Sequence, residues 1–179
     1  MRFAYADPPY LGQGKRYDHP DSRTWDDPET HRRHIDRLGA EYPDGWALSA
    51  SAPSLPVLLP MCPPDVRIAA WVKPFAAFKA NVRVAYTWEP VIFHGGRVSS
   101  RDGANVTRDH LSEVITLRRG LVGAKPPAFC RWVLDLLGYV EGDTLDDLFP
   151  GTGIMREVLA QTRLVWAIFP EQQELKEGQ

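Results

Sequence analysis

The strongest constraint on the fold is the alternation of short strand-like runs with stretches that have helical spacing. Six runs are predicted to be strands, at residues 2–6, 46–50, 66–72, 88–93, 144–147 and 164–169. A helix over 28–38 is predicted to begin at Asp27, with proline at its first position. Apolar side chains also recur at helical intervals between Phe129 and Leu137. This pattern predicts an α/β fold, a three-layer sandwich around a mostly parallel central sheet.

The composition fits one domain and excludes several classes of protein. A chain of 179 residues, 44% hydrophobic, is large enough for one domain with a proper core and too small for two of ordinary size. A formal net charge of -2 is not typical of a dedicated nucleic-acid binder, so contacts with phosphates must come from a local basic patch. We find no signal peptide and no apolar run of membrane-spanning length. We therefore expect a cytoplasmic protein without a membrane partner.

The cysteines and histidines do not predict a metal site. Cys62 and Cys130 lie far apart and have neither a disulfide nor a metal spacing, so we expect both to be buried small side chains. His31 and His34 lie three residues apart on the predicted helix, but no third ligand has a diagnostic spacing. We expect no metal, and we expect these histidines to be exposed on a polar face.

The segment Asp7-Pro8-Pro9-Tyr10 directly follows the first predicted strand. In open α/β sheets, ligands bind at the carboxyl ends of the strands. Proline has no backbone N–H, so this turn presents free carbonyls, and Asp7 adds a carboxylate acceptor beside them. Such acceptors could hold the hydrogens of an exocyclic amino group on a base, while Tyr10 offers a flat face for stacking. Taken alone, the segment is as consistent with a proline turn and a core tyrosine.

A glycine turn follows the predicted strand at 144–147. Its sequence is Asp147-Leu148-Phe149-Pro150-Gly151-Thr152-Gly153, and a helix is predicted after it over 154–161. Glycines let the backbone approach a ligand closely, and a helix N-terminus favours a carboxylate or phosphate. The turn lacks the GK[ST] of a phosphate-binding loop and the third glycine of the dinucleotide fingerprint. It therefore disfavours nucleoside triphosphates and NAD.

With the two motifs in this order, the chain resembles the amino-group DNA methyltransferases of the circularly permuted, beta-class-like type, in which Asp-Pro-Pro-Tyr precedes the cofactor motif. Lys125-Pro126 resembles the family's Lys-Pro element and lies at the family's spacing before the glycine turn. Residues 45–49 and 88–93 resemble two further strands of the family, so the resemblance covers nearly the whole chain. It implies the Rossmann-like fold of methyltransferases that depend on S-adenosylmethionine (SAM), as a single domain over 1–179.

The resemblance also implies an activity, which is the transfer of the methyl group of SAM to N6 of adenine in DNA. The target base would be flipped out of the duplex or taken from a single strand. Catalysis is assigned to Asp7, Pro8, Pro9 and Tyr10. Cofactor binding is assigned to Asp7, Lys125, Asp147, Phe149, Gly151, Thr152 and Gly153, with Asp147 at the amino group of SAM and Lys125 at its methionine end.

Two polar segments are candidates for contact with nucleic acid. Residues 97–125 stand where related enzymes hold a target-recognition segment, and residues 12–25 are a candidate lid over the substrate. Each is also consistent with an ordinary solvated segment. The basic residues predicted to contact nucleic acid are Lys15, Arg16, Arg97, Arg101, Arg108, Arg118 and Arg119.

The end of the sequence departs from the family's pattern. The sixth predicted strand ends in Phe169, where the family usually has an acid that binds the ribose hydroxyls of the cofactor, and Glu171 is the nearest substitute. We expect the family's next strand, which walls the adenine of the cofactor, to be missing. The fold would then be truncated by one strand, and a homodimer or a partner protein could supply the wall.

Three alternatives remain open at this point. The target could be N4 of cytosine or an adenine in RNA instead of an adenine in DNA. The chain could also be a methyltransferase-like protein that only binds nucleic acid or acts with a partner. Binding of SAM separates this last alternative from an enzyme.

Overall fold

The chain folds around one six-stranded sheet, in a computed structural model that describes residues 1–17, 19–75, 82–98, 106–115 and 124–168. The strands are β1 (Arg2–Ala6), β2 (Gly45–Ser49), β3 (Arg67–Val72), β4 (Trp88–Gly95), β5 (His110–Ser112) and β6 (Thr144–Asp147). Their order in the sheet is β5-β3-β4-β2-β1-β6. Among these strands, β4 pairs antiparallel with both neighbours and the other pairs are parallel. The sheet is therefore mostly parallel, as predicted.

Helices cover both faces of the sheet, which gives three layers. They are α1 (Pro28–Glu41), the single turn α2 (Leu55–Leu58), α3 (Pro127–Leu137) and α4 (Ile154–Ile168). Side chains alternate along β1, so that Phe3 and Tyr5 join a core with α3 and α4, whereas Ala4 and Ala6 join a core with α1 and α2. Each face of the sheet is thus buried by its own pair of helices.

Local sequence explains where α1 and α3 begin and end. The side chain of Asp27 accepts a hydrogen bond from the backbone N–H of Glu29 at 3.1 Å, and Pro28 occupies the first position of α1. α3 ends at Gly138, which has a left-handed φ of +63°. Helix α3 starts two residues after Lys125, so it fixes the place where that lysine meets the sheet.

The predicted strand at 164–169 is wrong. Residues 154–168 form one continuous helix, α4, so the helix predicted over 154–161 is seven residues longer than expected. Good helix formers such as Arg156, Glu157 and Ala160 occur along this run, and the first proline after Gly153 is Pro170. Propagation of the helix therefore outweighs the strand preference of the late apolar run. Phe169 and Glu171 lie outside the described residues.

The segment 97–125 contributes one strand that the sequence did not predict. The structure describes residues 97–98, 106–115 and 124–125 of this segment. Residues His110–Ser112 form β5, which pairs parallel with β3 at the edge of the sheet. None of the helices in the described ranges is long and apolar enough to cross a lipid bilayer.

Candidate functional site

The carboxyl ends of β1 and β6 meet at one cavity of about 710 Å³. The two strands are parallel neighbours, with Tyr5 opposite Asp147, and the N–H of Leu148 donates to the carbonyl of Tyr5 at 3.0 Å. The proline turn after β1 and the glycine turn after β6 therefore leave the sheet side by side. The cavity has the volume of a typical small-molecule site.

Most of the predicted cofactor residues line this cavity. The lining residues from the two motifs and the Lys-Pro element are Asp7, Pro9, Lys125, Asp147, Leu148, Phe149, Pro150, Gly151 and Thr152. The others are Tyr5, Tyr17, His19, Asp21, Ser22, Trp25, Ala124, Cys130, Ile154 and Met155. Pro8, Tyr10 and Gly153 are not lining residues, although each is adjacent in sequence to one that is. Cys130 is buried as expected, whereas Cys62 is only partly buried.

Lys125 forms a buried ion pair with Asp7. Its Nζ donates to both carboxylate oxygens of Asp7 at 2.9 Å and to the hydroxyl of Tyr10 at 3.0 Å. The side chain of Lys125 is 6% exposed and that of Asp7 is 20% exposed. Lys125 was predicted at the methionine end of the cofactor. The structure places its ammonium group against the predicted catalytic carboxylate, at the wall of the same cavity.

Glu89 completes this ionic cluster, although it was not among the residues predicted to form the site. The hydroxyl of Tyr10 donates to Glu89 Oε2 at 2.9 Å, and Lys125 Nζ lies 3.6 Å from the same carboxylate oxygen. Lys73 pairs with the other oxygen of Glu89. Two carboxylates and two ammonium groups thus alternate, from Asp7 through Lys125 and Glu89 to Lys73. A charged residue inside the apolar strand β4 was the available signal, but its partner lies 79 positions away.

The cluster shifts the pKa of each buried member. Burial would lower the pKa of Lys125, but the charges of Asp7 and Glu89 outweigh burial and raise it. Burial raises the pKa of Asp7, and the ion pair with Lys125 opposes that rise. For Glu89, burial would raise the pKa, but Lys125 and Lys73 together hold it below its ordinary value. Lys125 therefore stays charged, and Glu89 stays ionised to lower pH than an ordinary glutamate.

Asp147 is a second carboxylate at the cavity wall, at the end of β6. Burial raises its pKa to about 6, and the nearby charge of Asp7 adds to the rise. The backbone N–H of Phe149 donates to Asp147 Oδ1 at 3.3 Å, and this hydrogen bond opposes the rise in the pKa of Asp147. A carboxylate with this pKa is mostly ionised at neutral pH and is suited to binding a cationic group.

The glycine turn after β6 depends on a left-handed backbone. Gly151 has φ +45° and Gly153 has φ +75°, which are conformations that other residues rarely adopt. A Cβ at Gly151 would meet only the carbonyl of Phe149 at 3.7 Å, and a Cβ at Gly153 would meet nothing within 4 Å. Packing therefore does not demand glycine here. Glycine keeps the conformation of the turn accessible and leaves the space beside it open.

The predicted lid, residues 12–25, folds into two short 3-10 helices, Gly14–Arg16 and Pro20–Asp26. The N–H of Gly14 donates to Asp26 Oδ1 at 2.9 Å, which holds the two turns together. Trp25 lines the cavity, and its ring lies edge-on to that of Phe149 with centroids 5.2 Å apart. This segment therefore supplies an aromatic wall to the cavity, next to the glycine turn.

The expectation that His31 and His34 are exposed is wrong. His31 is 2% exposed and donates from Nε2 to the carbonyl of Trp25 at 2.9 Å. The ring of His34 lies edge-on to both Trp25 and Phe149. Burial lowers the pKa of His34 to about 4, so it is neutral at physiological pH. The two histidines of α1 therefore pack against the aromatic wall, whereas Arg32 and Arg33 between them are exposed. Among the described residues no cluster of three or more metal ligands forms.

The basic residues predicted to contact nucleic acid lie in different places. Lys15 and Arg16 are exposed on the first 3-10 helix, directly before Tyr17 of the cavity wall. Arg97 donates to both oxygens of Asp143 at 2.9 Å. It follows the carboxyl end of β4, and because β4 is antiparallel to β2, this end lies on the side of the sheet opposite the cavity. Arg108 directly precedes Asp109, whose carbonyl accepts a hydrogen bond from the N–H of Ala70 in β3. Arg108 therefore lies beside the outer side of β3.

The positions of Arg97 and Arg108 do not favour the predicted contacts with phosphates around the cavity. Three further residues of this prediction, Arg101, Arg118 and Arg119, lie outside the described residues.

Comparison with known proteins supports the fold. No family model and no curated protein matches the sequence. Solved structures do match, in 43 chains. One is the crystal structure of the M1.HpyAVI–SAM complex, which is 12% identical, covers 91% of this chain and 78% of its own, and has a TM-score of 0.56. At this identity the likeness shows the fold, and it confirms the predicted α/β architecture.

Proposed function

We propose that this chain is a SAM-dependent methyltransferase that acts on N6 of adenine in DNA. One observation carries the proposal: the proline turn after β1 and the glycine turn after β6 open into the same cavity from adjacent parallel strands. M1.HpyAVI, whose fold this chain shares, was solved in complex with SAM. An acceptor-rich turn beside a cavity of this size provides room for a cofactor and for a base next to it.

In this proposal the glycine turn and the aromatic wall hold the cofactor. Asp147 binds the ammonium group of SAM, which its ionised carboxylate suits at neutral pH. The open backbone at Gly151 lets the chain approach the ligand closely. Trp25 and Phe149 present aromatic edges and faces for the adenine of the cofactor, a role that was expected of a missing strand or a partner protein.

Asp7 has the acceptor capacity that the reaction needs. Both oxygens of its carboxylate accept a hydrogen bond from Lys125, and Oδ1 also accepts from the hydroxyl of Tyr10 at 3.3 Å, so Oδ2 is the oxygen that can accept a second hydrogen bond. A target amino group held by Asp7 and a backbone carbonyl of the proline turn would have its lone pair directed away from both. Tyr10 lies beside Asp7, and its hydroxyl is fixed by Glu89 and Lys125, so its ring is already oriented for stacking.

The chemical step is a direct displacement. SAM supplies an electrophilic methyl group on a sulfonium leaving group. The new N–C bond forms as the C–S bond breaks, the bonding electrons pass to sulfur, and N6 then loses a proton to solvent. Alignment of the two reactants supplies on the order of 7 to 11 kcal/mol of the barrier reduction in favourable cases. The hydrogen-bonded cluster around Asp7 holds the acceptor carboxylate in place and so fixes the alignment of the target amino group.

The proposal is tested by measuring cofactor binding and methyl transfer together. Isothermal titration with SAM should show saturable binding, and labelled SAM with DNA should yield N6-methyladenine by nucleoside mass spectrometry. Parallel reactions with RNA show whether DNA or RNA is the preferred substrate. The same spectra distinguish N6-methyladenine from N4-methylcytosine. A protein that binds DNA without binding SAM would instead be the non-catalytic alternative.

Asp7→Asn should lower methyl transfer by at least about 100-fold and leave SAM affinity within a few fold of the parent protein. The amide keeps the shape of the side chain but replaces one acceptor oxygen by a donor. Activity is measured with tritiated SAM under single-turnover conditions, and affinity by titration. Parental activity in the variant would remove Asp7 from the catalytic assignment.

A further inference from the structure

The connection between β3 and β4 has a composition that differs from the rest of the chain. Residues 73–87 contain three basic residues and three aromatic residues, and they contain no acid. The chain as a whole has a formal net charge of -2. Basic and aromatic residues without acids are typical of surfaces that bind single-stranded nucleic acid.

Large apolar side chains of this connection are exposed to solvent. Phe75 is 71% exposed, Val84 is 64% exposed and Tyr86 is 57% exposed. Arg83 is exposed among them. Phe75 lies two residues after Lys73 and Tyr86 directly precedes Thr87, and the N–H of Lys73 donates to the carbonyl of Thr87, so both rings flank the base of the connection. Exposed apolar groups that are grouped on a surface mark interaction sites. We call Phe75, Arg83, Val84 and Tyr86 the hairpin lip.

The hairpin lip lies at the same edge of the sheet as the cavity. β3 and β1 run in the same direction, so both carboxyl ends point to this edge. The N–H of Lys73 donates to the carbonyl of Thr87 at 2.7 Å, which extends the β3–β4 pairing toward the lip. In the sheet order β3 is three positions from β1, a separation of about 14 Å at ordinary strand spacing.

A chain of contacts joins the hairpin lip to the predicted catalytic turn. Lys73 pairs with Glu89, and Glu89 accepts from the hydroxyl of Tyr10. The first residue of the β3–β4 connection is therefore fixed, through one carboxylate, to the tyrosine on which the target base would stack. A nucleotide strand with one base at Tyr10 would run along this edge of the sheet.

We propose that the hairpin lip binds the single-stranded segment of nucleic acid next to the target base. Phe75 and Tyr86 stack on neighbouring bases, and Arg83 pairs with the phosphates. The inference rests on the proposed function, and it adds a substrate surface outside the predicted recognition segment. It also explains how a chain whose Arg97 and Arg108 lie away from the cavity still presents positive charge at the cavity edge.

The test is equilibrium binding of a short fluorescein-labelled single strand, followed by anisotropy without SAM. Phe75→Ala and Tyr86→Ala should each weaken binding at least about fivefold, because a base stacked on an aromatic ring contributes on that scale. Arg83→Ala should weaken binding and reduce the slope of log affinity against log salt by about one. The three variants should keep the parental affinity for SAM, since none of these residues lines the cavity.

Two matched controls carry the same types of change elsewhere. Leu164→Ala removes a side chain that is 60% exposed on α4, and Arg67→Ala removes an exposed guanidinium from the opposite end of β3. Both should bind the single strand as tightly as the parent protein. Losses in the controls equal to those in the lip variants would overturn the proposal, because binding would then follow general charge and surface area.

Other outcomes also decide the matter. Lip variants that bind the single strand as the parent does overturn the inference, and so does a parent protein that binds no oligonucleotide at low salt. Tighter binding of duplex than of single strand likewise contradicts it. If sedimentation velocity shows that the variants only dissociate a dimer, the lip contacts a second copy and the proposal is wrong. SAM titration of the parent protein reports separately on the proposed function.

Discussion

Lys125 is a buried cation whose charge is balanced by carboxylates from two strands. Its side chain is 6% exposed and contacts Asp7, which follows β1, and Glu89, which belongs to β4. Removing one partner of a buried pair leaves an uncompensated charge, whereas removing both partners is often tolerated. The cluster therefore makes the stability of the protein depend on the same residues as the proposed chemistry.

Lys125→Met should destabilise the fold by about 3 kcal/mol, because Asp7 loses its buried counter-ion. The double variant Asp7→Asn with Lys125→Met should recover most of that loss and remain inactive. Urea unfolding followed by circular dichroism measures both effects. Arg37→Met serves as a control, since Arg37 pairs with Glu41 at the surface and its loss should cost less than about 1 kcal/mol. Equal costs at the two sites would contradict the buried pair.

Asp147 should make SAM binding depend on pH. Burial raises its pKa to about 6, so the carboxylate gains a proton as the pH falls through that value. The proposed partner is the ammonium group of SAM, which needs the ionised form, so affinity should fall about tenfold for each pH unit below 6. Titration calorimetry at several pH values measures this trend. Asp147→Asn should bind SAM weakly at all of them, and a parallel pH trend in the variant would assign the titration to another group.

At the scale of the elements, local pattern predicts the strands that face a core and fails where a competing element wins. Strand bounds at 2–6 and 144–147 agree with β1 and β6 because each run ends directly before a turn motif, although β1 is largely apolar and β6 has one apolar residue, Leu145. β5 has only three residues, His110–Ser112, too few for an alternation to be visible. The apolar run after Arg163 continues the helix α4, which begins at Ile154. The preference of this run for a strand is therefore overridden.

The candidate site was predictable where it is local and not where it depends on distant pairs. The two motifs could be placed at one cavity because the carboxyl ends of parallel strands share an edge. The contact of Lys125 with Asp7 joins residues 118 positions apart, and no sequence pattern specifies it. The same holds for the aromatic wall, since Trp25 and Phe149 come from distant parts of the sequence and their rings lie 5.2 Å apart in the fold.

The two 3-10 helices before α1 should be essential to the aromatic wall. A Cβ at Gly14 would lie 2.5 Å from the carbonyl oxygen of Ser22, so Gly14→Ala must push the two turns apart. We expect a loss of about 1–3 kcal/mol in stability and weaker SAM binding as Trp25 moves.

Gly39→Ala is the matched control, because nothing would lie within 4 Å of a Cβ at this exposed position in the last turn of α1. It should stabilise the protein by about 0.5–1 kcal/mol and leave SAM affinity unchanged. Thermal unfolding and titration of both variants test the pair. An unchanged SAM affinity in Gly14→Ala would remove the turns from the cofactor site.

On the scale of the whole molecule, the cavity joins parts of the chain that are far apart in sequence. Its walls come from residues 5–25 and from residues 124–155, and β1 lies between β2 and β6 in the sheet. A ligand in the cavity would therefore contact the first strand, the 3-10 segment and the last described helix together. Such a ligand stabilises the folded chain as a unit, because the unfolded chain does not hold these segments in one place.

SAM at about 100 times its dissociation constant should stabilise the protein by about 2.7 kcal/mol, which for a chain of this size raises Tm by about 5–10 °C. Gly151→Val should keep a measurable Tm but lose most of this shift, because the side chain is disfavoured at φ +45° and stands in the turn that lines the cavity. Differential scanning fluorimetry with and without SAM measures both proteins. Gly39→Ala should keep the full shift, since Gly39 is not a lining residue. A ligand held by the glycine turn must couple its binding to the folding of that turn. The cavity would therefore not be the cofactor site if SAM left the Tm of the parent protein unchanged. The same conclusion would follow if SAM shifted the Tm of Gly151→Val as much as that of the parent.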